Sequence, residues 1–163
     1  MLKLELEKPE DFSGVEDLYD ICFSPSRKVL SSYRLRENVK PIDKLCYLAK
    51  NETGSILCAV RYWPIKIQSF KFLLLGPLAV HPTMQAEGHG NYIINETLKR
   101  AEKFGWQAII LIGDLSYYRH FNFIIAKSIE FPLPTDPKRT LIKSLNGFDI
   151  SLLKGKVERW GAK

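Results

Sequence analysis

Leu2, Leu4 and Leu6 alternate with charged residues, and that period of two predicts a first strand. Pro9, Glu10 and Asp11 then open a helix in which Phe12, Val15, Leu18, Tyr19 and Cys22 recur three or four residues apart as a core-facing stripe. A second, more polar helix is predicted over 27–37, with Val29, Leu30 and Tyr33 buried. Residues 45–50, 55–68 and 70–80 are rich in β-branched and aromatic side chains and are separated by Asn51-Glu52-Thr53-Gly54 and by Gln68-Ser69. They read as three antiparallel strands joined by hairpins. Gly76-Pro77 interrupts the third, and because proline has no N–H to donate, a bulge or a splayed strand is expected there.

Over 90–104, Ile94, Leu98, Ala101 and Phe104 recur at helical spacing, and Gly105 stands where a left-handed cap would end the helix. Residues 107–112 form a short, almost wholly apolar strand, the pattern of a strand covered on both faces. Strand, helix and strand in that order predict a right-handed crossover onto a parallel neighbour. A helical turn over 116–120, a strand from Phe123, a proline-stiffened loop over 131–137 and a last strand over 147–153 complete the expected order. The fold class is α/β (α+β): a mixed, mostly antiparallel sheet of six to seven strands with helices on both faces, in a single domain over 1–163.

With 163 residues and 45% hydrophobic content, the chain can build one core without disulfides or a metal. Cys22, Cys46 and Cys58 are odd in number, lack Cys-x-x-Cys spacing, and read as reduced thiols of a cytoplasmic protein. The longest apolar runs, 70–75 and 109–112, fall far short of the roughly 20 residues that span a bilayer. The opening residues also lack the continuous apolar run of a signal peptide, so a soluble protein with no membrane partner is expected. The net charge of +6 favours anionic partners in general, but the Lys and Arg residues are scattered apart from concentrations at 137–143 and 154–163. A solvated basic face accounts for that pattern.

The informative segment is Gln85-Ala86-Glu87-Gly88-His89-Gly90, between the strand ending at Val80 and the following helix. Its glycines permit turns with exposed N–H groups, and the helix start adds a positive dipole end, which together make a cradle for phosphate oxygens. It is neither a Walker loop, lacking Gly-Lys-Ser/Thr, nor a dinucleotide fingerprint, lacking the early strand and third glycine.

Leu-Gly-Pro-Leu-Ala-Val-His-Pro at 75–82, then Gln-x-x-Gly-x-Gly, a helix, an apolar strand and Gly113-Asp114-Leu115-Ser116-Tyr117-Tyr118-Arg119-His120-Phe121-Asn122-Phe123 resemble the GNAT superfamily of N-acetyltransferases. The resemblance is strongest over 74–123 and closest to one bacterial branch. It implies the GNAT fold, with the fourth and fifth strands splayed and the arm of acetyl-CoA entering between them. It also implies that Leu78, Ala79 and Val80 offer strand-edge groups to the pantetheine, and that Gln85 opens a loop in which Ala86, Glu87, Gly88, His89, Gly90 and Asn91 hold the pyrophosphate, with Tyr117 beside it. Tyr118 falls where the family often has a tyrosine that protonates the departing thiolate. The implied reaction is direct acetyl transfer to an amine through a tetrahedral oxyanion held by a strand N–H near Val80, without a metal.

Asn122 departs from the family's glycine but tolerates a left-handed backbone. Packing of Tyr117 and Tyr118 against Phe121 and Phe123 is the structural alternative for the tyrosines, and capping is the alternative for Asp114. His81, His89 and His120 match no zinc spacing, and Ser24, Ser26 and Ser116 lack a nucleophile elbow. His81, Glu87 and Asp114 lie near the cleft in sequence, and none is assigned as general base. The expected partners are acetyl-CoA and an amine-bearing acceptor, with a homodimer left open. Rival readings are a catalytically silent coenzyme A-binding or sensor module and, ranked lower, a basic nucleic-acid-binding domain.

Overall fold

The computed structural model describes residues 2–161, so the far end of the basic segment at 154–163 lies outside the described residues. Nine strands occur among the described residues: β1 Glu5–Leu6, β2 Tyr47–Lys50, β3 Ile56–Ile67, β4 Phe70–Val80, β5 Ala108–Ile112, β6 Ile124–Ile125, β7 Ile129–Glu130, β8 Thr140–Ser144 and β9 Gly155–Arg159. Seven of them follow one path, β1-β2-β3-β4-β5-β8-β6, while β9 joins β3 beyond β2 and carries β7 on its other side. The ladder is antiparallel except at β4–β5 and β7–β9. The helices are α1 Phe12–Phe23, α2 Ser31–Arg34, α3 His89–Lys103 and α4 Leu115–Tyr118.

The β4–α3–β5 crossover places α3 on one face of the sheet. Its stripe of Ile93, Ile94, Leu98 and Ala101 buries against Val60, Tyr62, Leu73, Leu75 and Leu111. Thr97 lies inside this contact, where its hydroxyl meets that of Tyr62 at 2.7 Å. On the other face, Val15, Leu18 and Tyr19 of α1 cover Leu48, Ala59 and Ala79. Gly105 takes φ +88° and ends α3 by donating to the Glu102 carbonyl, the predicted left-handed cap.

Several sequence expectations fail where local pattern competes with tertiary packing. The predicted helix over 27–37 breaks into a 3-10 turn, Pro25–Val29, and the single turn of α2. Val29 and Leu30 are exposed rather than buried, at 77% and 55%; Arg27 fills the interior place instead. Phe12 and Phe104 belong to apolar stripes by spacing yet stay exposed, each with a cation near its ring: Arg61 at 5.1 Å and Lys44 at 5.8 Å. Residues 147–153 are turn and 3-10 helix, and the terminal strand is β9. The basic stretch after Pro137 contains β8, which the pattern does not reveal because its buried pair Leu141-Ile142, covered on both faces, is short and flanked by Arg139 and Lys143.

The register beside the site departs from regular pairing at the predicted place. Val60 faces Leu78 and Tyr62 faces Leu75, so Gly76 and Pro77 together oppose Arg61 alone. That is a β-bulge, with Gly76 at φ +137°. Pairing of β4 with β5 is confined to Leu73–Ile109 and Leu74–Ile110, and from the bulge onward β4 runs on to Val80 with its β5-side edge unpaired.

Candidate active site

The separation of β4 from β5 leaves a cleft of about 330 Å³, lined by Gly76, Pro77 and Leu78 on one side and by Gly113, Asp114, Tyr117 and Tyr118 on the other. Along β4 the Val80 carbonyl accepts from Cys22 Sγ at 3.3 Å and Gln85 Nε2 at 3.2 Å, so it points away from β3. Backbone groups alternate sides along a strand, which turns those of Leu78 and Val80 to the opening and those of Ala79 to β3. The Ala79 side chain packs under α1.

Beyond β4 the chain turns through Pro82–Met84 and reaches Gln85 and Ala86, the latter at φ +67°. Gly88, at φ +82°, is the N-cap of α3, and the Tyr92 N–H donates to the Gly88 carbonyl to close the first turn. The N–H groups of His89, Gly90 and Asn91 precede that bond and lie at the positive end of the fifteen-residue helix. Gln85, Ala86, Gly88, His89, Gly90, Asn91 and Tyr117 line a hollow of about 390 Å³. Glu87 is exposed and places Oε2 3.6 Å from His89 Nε2. A Cβ on Gly90 would stand 3.3 Å from Tyr117 Oη and 3.5 Å from Val80 Cγ2, so a side chain there would narrow the hollow. An amide-edged strand running into an N–H-lined turn suits a long ligand with an amide arm and a pyrophosphate.

Tyr117 borders both spaces. Tyr118 lies deeper, its ring edge-on to Phe123 at 5.7 Å and to Tyr117 at 4.9 Å. Gly113 admits that ring, since a Cβ at 113 would come within 2.6 Å of Tyr118 Cε2. Asn122 takes φ +66°, the left-handed conformation expected of it, and the Phe123 N–H donates to the Tyr118 carbonyl. Burial pushes the Tyr118 hydroxyl well above the usual tyrosine range, so it is a protonated donor at neutral pH.

Of the three groups considered as base, Asp114 alone lines the cleft, and its carboxylate pairs with Arg139 at 2.8 Å. His81 binds Thr83 and lines a different hollow, beside Lys50 and Asp17. Sequence reasoning missed Arg27, Arg36 and Arg139, which also line the cleft, because no motif marks them and their segments come together only in the fold. Among the described residues no group of three or more His, Cys, Asp or Glu side chains is placed to hold a metal ion, and no helix is long and apolar enough to cross a membrane.

A mixed sheet whose parallel pair parts beside a glycine turn and a helix N-terminus defines the GNAT acetyltransferase fold, and comparison with solved structures agrees. The GNAT family N-acetyltransferase YhbS of Escherichia coli, crystallised with CoA, superposes with a TM-score of 0.84 over 97% of this chain and 89% of its own, at 22% identity. A GNAT family acetyltransferase from Brucella melitensis, in complex with acetyl-CoA, gives a TM-score of 0.72 over 99% of this chain and 97% of its own, also at 22% identity. In sequence, the uncharacterised N-acetyltransferase YhbS of E. coli strain K12 is 25% identical over 125 residues, 76% of this chain and 74% of the relative. No family model matches the chain.

Proposed function

We propose that this chain is an acetyl-CoA-dependent N-acetyltransferase that moves the acetyl group directly onto an amine. The observation that carries the reading is the alignment of three features along one path: the unpaired edge of β4 beyond the Gly76-Pro77 bulge, the N–H-lined turn at the start of α3, and Tyr118 in the cleft between them. Leu78 and Val80 pair with the amides of the pantetheine arm, and the segment from Gln85 to Asn91 receives the pyrophosphate. Tyr117 stands at the junction of the two spaces.

Acetyl-CoA supplies a thioester: the amine nitrogen adds to its carbonyl carbon, the tetrahedral adduct breaks the C–S bond, and the thiolate leaves while the amine proton passes to solvent. The residues hold this geometry and stabilise charge. A strand N–H facing the opening, from Leu78 or Val80, donates to the developing oxyanion. Tyr118 donates its hydroxyl proton to the leaving sulfur, and its raised pKa makes hydrogen-bond stabilisation the larger part of that role. Asp114 is held by Arg139, so the acceptor enters already neutral. The three free cysteines suit a cytoplasmic setting, and the E. coli relatives suit a bacterial one.

Calorimetric titration with acetyl-CoA, beside a variant carrying Gly88→Asp and Gly90→Asp, tests the site. Micromolar binding by the wild type that the variant loses supports it, and a wild type that does not bind acetyl-CoA overturns it. Binding without thiol release on any amine would instead favour a silent sensor.

A further inference from the structure

Four arginines gather beneath the bulge and around the cleft, and three have carboxylate partners. Arg27 pairs with Glu16 and Asp20, each at 3.2 Å. Arg61 meets Glu7 at 3.0 Å and Glu16 at 2.6 Å. Arg139 meets Asp114 at 2.8 Å. Arg36 is 9% exposed, and its Nε and Nη1 are buried without a hydrogen-bond partner among the described residues.

An unpaired buried cation is costly. Here it is held by aromatic faces, Tyr33 at 4.4 Å and Trp63 at 5.7 Å, and by the turn in which the Arg36 N–H donates to the Tyr33 carbonyl. Burial lowers the Arg36 pKa to about 10, and the group stays charged at neutral pH. Its Nη2 lies 2.9 Å from where a Cβ on Gly76 would stand, so the glycine of the bulge is what lets the guanidinium reach the cleft. Among the described residues lining that cleft, Asp114 is the one acid, and Arg139 already neutralises it. The acceptor space therefore carries an uncompensated positive charge at the point where β4 and β5 part.

We infer that Arg36 anchors a carboxylate on the acceptor, which makes the substrate a small amine that also bears a carboxylate, of amino-acid type. This rests on the acetyltransferase reading above. The cleft volume of about 330 Å³ must also admit the thioester end of the arm, which leaves room for only a short span between the amine and the carboxylate of the acceptor. A planar guanidinium between two aromatic rings suits a planar carboxylate.

The test is a ladder of amines from glycine to 6-aminohexanoate, each assayed beside its own carboxamide for thiol release from acetyl-CoA. Carboxamides keep more of their amine neutral, so preference for the acid cannot arise from nucleophile supply. The wild type is expected to prefer at least one acid over its amide by about 10²-fold in kcat/KM, the chain length reporting the amine-to-carboxylate distance. Arg36→Met should erase that preference while acetyl-CoA affinity, titrated separately, is retained; Arg36→Lys should keep part of it. Turnover of amides as fast as acids, no turnover of any acid by a wild type that binds acetyl-CoA, or an Arg36→Met that slows both alike overturns the inference. If Arg36→Met fails to fold, the wild-type comparison and Arg36→Lys still decide. Absence of acetyl-CoA binding marks failure of the underlying reading instead.

Discussion

The Tyr117 hydroxyl donates to the side-chain carbonyl of Asn91 at 2.8 Å, tying the turn after β5 to the first turn of α3 across the mouth of the cleft. The two walls of the opening are thus joined at one polar contact, between the hollow proposed for pyrophosphate and the space proposed for chemistry. Tyr117→Phe is expected to weaken acetyl-CoA binding by about tenfold, the worth of one hydrogen bond, with a smaller effect on kcat. Calorimetry against steady-state rates separates the two; an unchanged Kd contradicts the role.

Tyr118→Phe removes the hydroxyl and leaves the ring contacts with Phe123 and Tyr117 in place. kcat should fall about 10²-fold with the acetyl-CoA Kd unchanged. Because burial raises the Tyr118 pKa, the wild-type rate should rise with pH as the acceptor deprotonates and show no alkaline fall up to about pH 9, short of the value near 10 at which Arg36 loses its charge. A fall well below that pH, present in the wild type and absent in the variant, would contradict the raised pKa.

The backbone of the half proposed for the cofactor was legible because its residues are consecutive. A bulge at Gly76-Pro77, a cradle over 85–91 and an aromatic turn after the fifth strand each follow from short motifs whose backbone demands are local. The proposed acceptor side is assembled from Arg36 on a turn, Gly76 on a strand and Arg139 before β8, separated by tens of residues, and no spacing rule connects them. The same limit explains the failed helix over 27–37: its apolar residues Val29 and Leu30 look core-facing in the pattern, while the fold buries Arg27 through ion pairs invisible to hydrophobic periodicity. β8 was hidden for the related reason that its flanking cations signalled surface.

Asp11 accepts the Lys8 N–H at 2.9 Å and pairs with Lys50 at 2.8 Å, and chiefly the Lys50 hydrogen bond holds its carboxyl below the usual range. A depressed folded-state pKa stabilises the protein above the unfolded value of about 3.9 and stops doing so as pH falls through the folded value. Asp11→Asn should therefore be less stable than the wild type at neutral pH, with the gap closing below about pH 4. Urea unfolding across that range reads it; a gap independent of pH counts against the assignment.

Burial pushes the Cys46 thiol up to about 12 and the Cys58 thiol up to about 11 and raises that of Cys22 as well, but Cys22 is only half-buried, beside the β4 edge. At about pH 8 a thiol reagent should label Cys22 alone in the folded protein, and the other two only after unfolding. Saturating acetyl-CoA should slow Cys22, since its Sγ donates to the Val80 carbonyl on the strand proposed to hold the pantetheine. Rapid labelling of all three cysteines in native buffer would contradict their placement.

Tyr62→Phe removes the hydroxyl that meets Thr97 between α3 and the sheet, and should cost about 1 kcal/mol, since Thr97 keeps its bond to the Ile93 carbonyl at 2.7 Å. Denaturant midpoints measure it.

The extra residue in β4 acts as a phase shift. Before the bulge, Leu73 and Leu75 face α3, and after it Leu78 and Val80 do, so odd positions give way to even ones within a single strand. Were Gly76 and Pro77 instead paired one to one with β3, everything downstream would rotate by half a turn: Ala79 would come under α3, and Leu78 and Val80 would be carried under α1. The sheet could still pair, but the amide groups that now face the cleft would be turned into the ladder with β3. The two-against-one pairing of Gly76 and Pro77 with Arg61 thus decides which edge of β4 the chain turns toward the cleft.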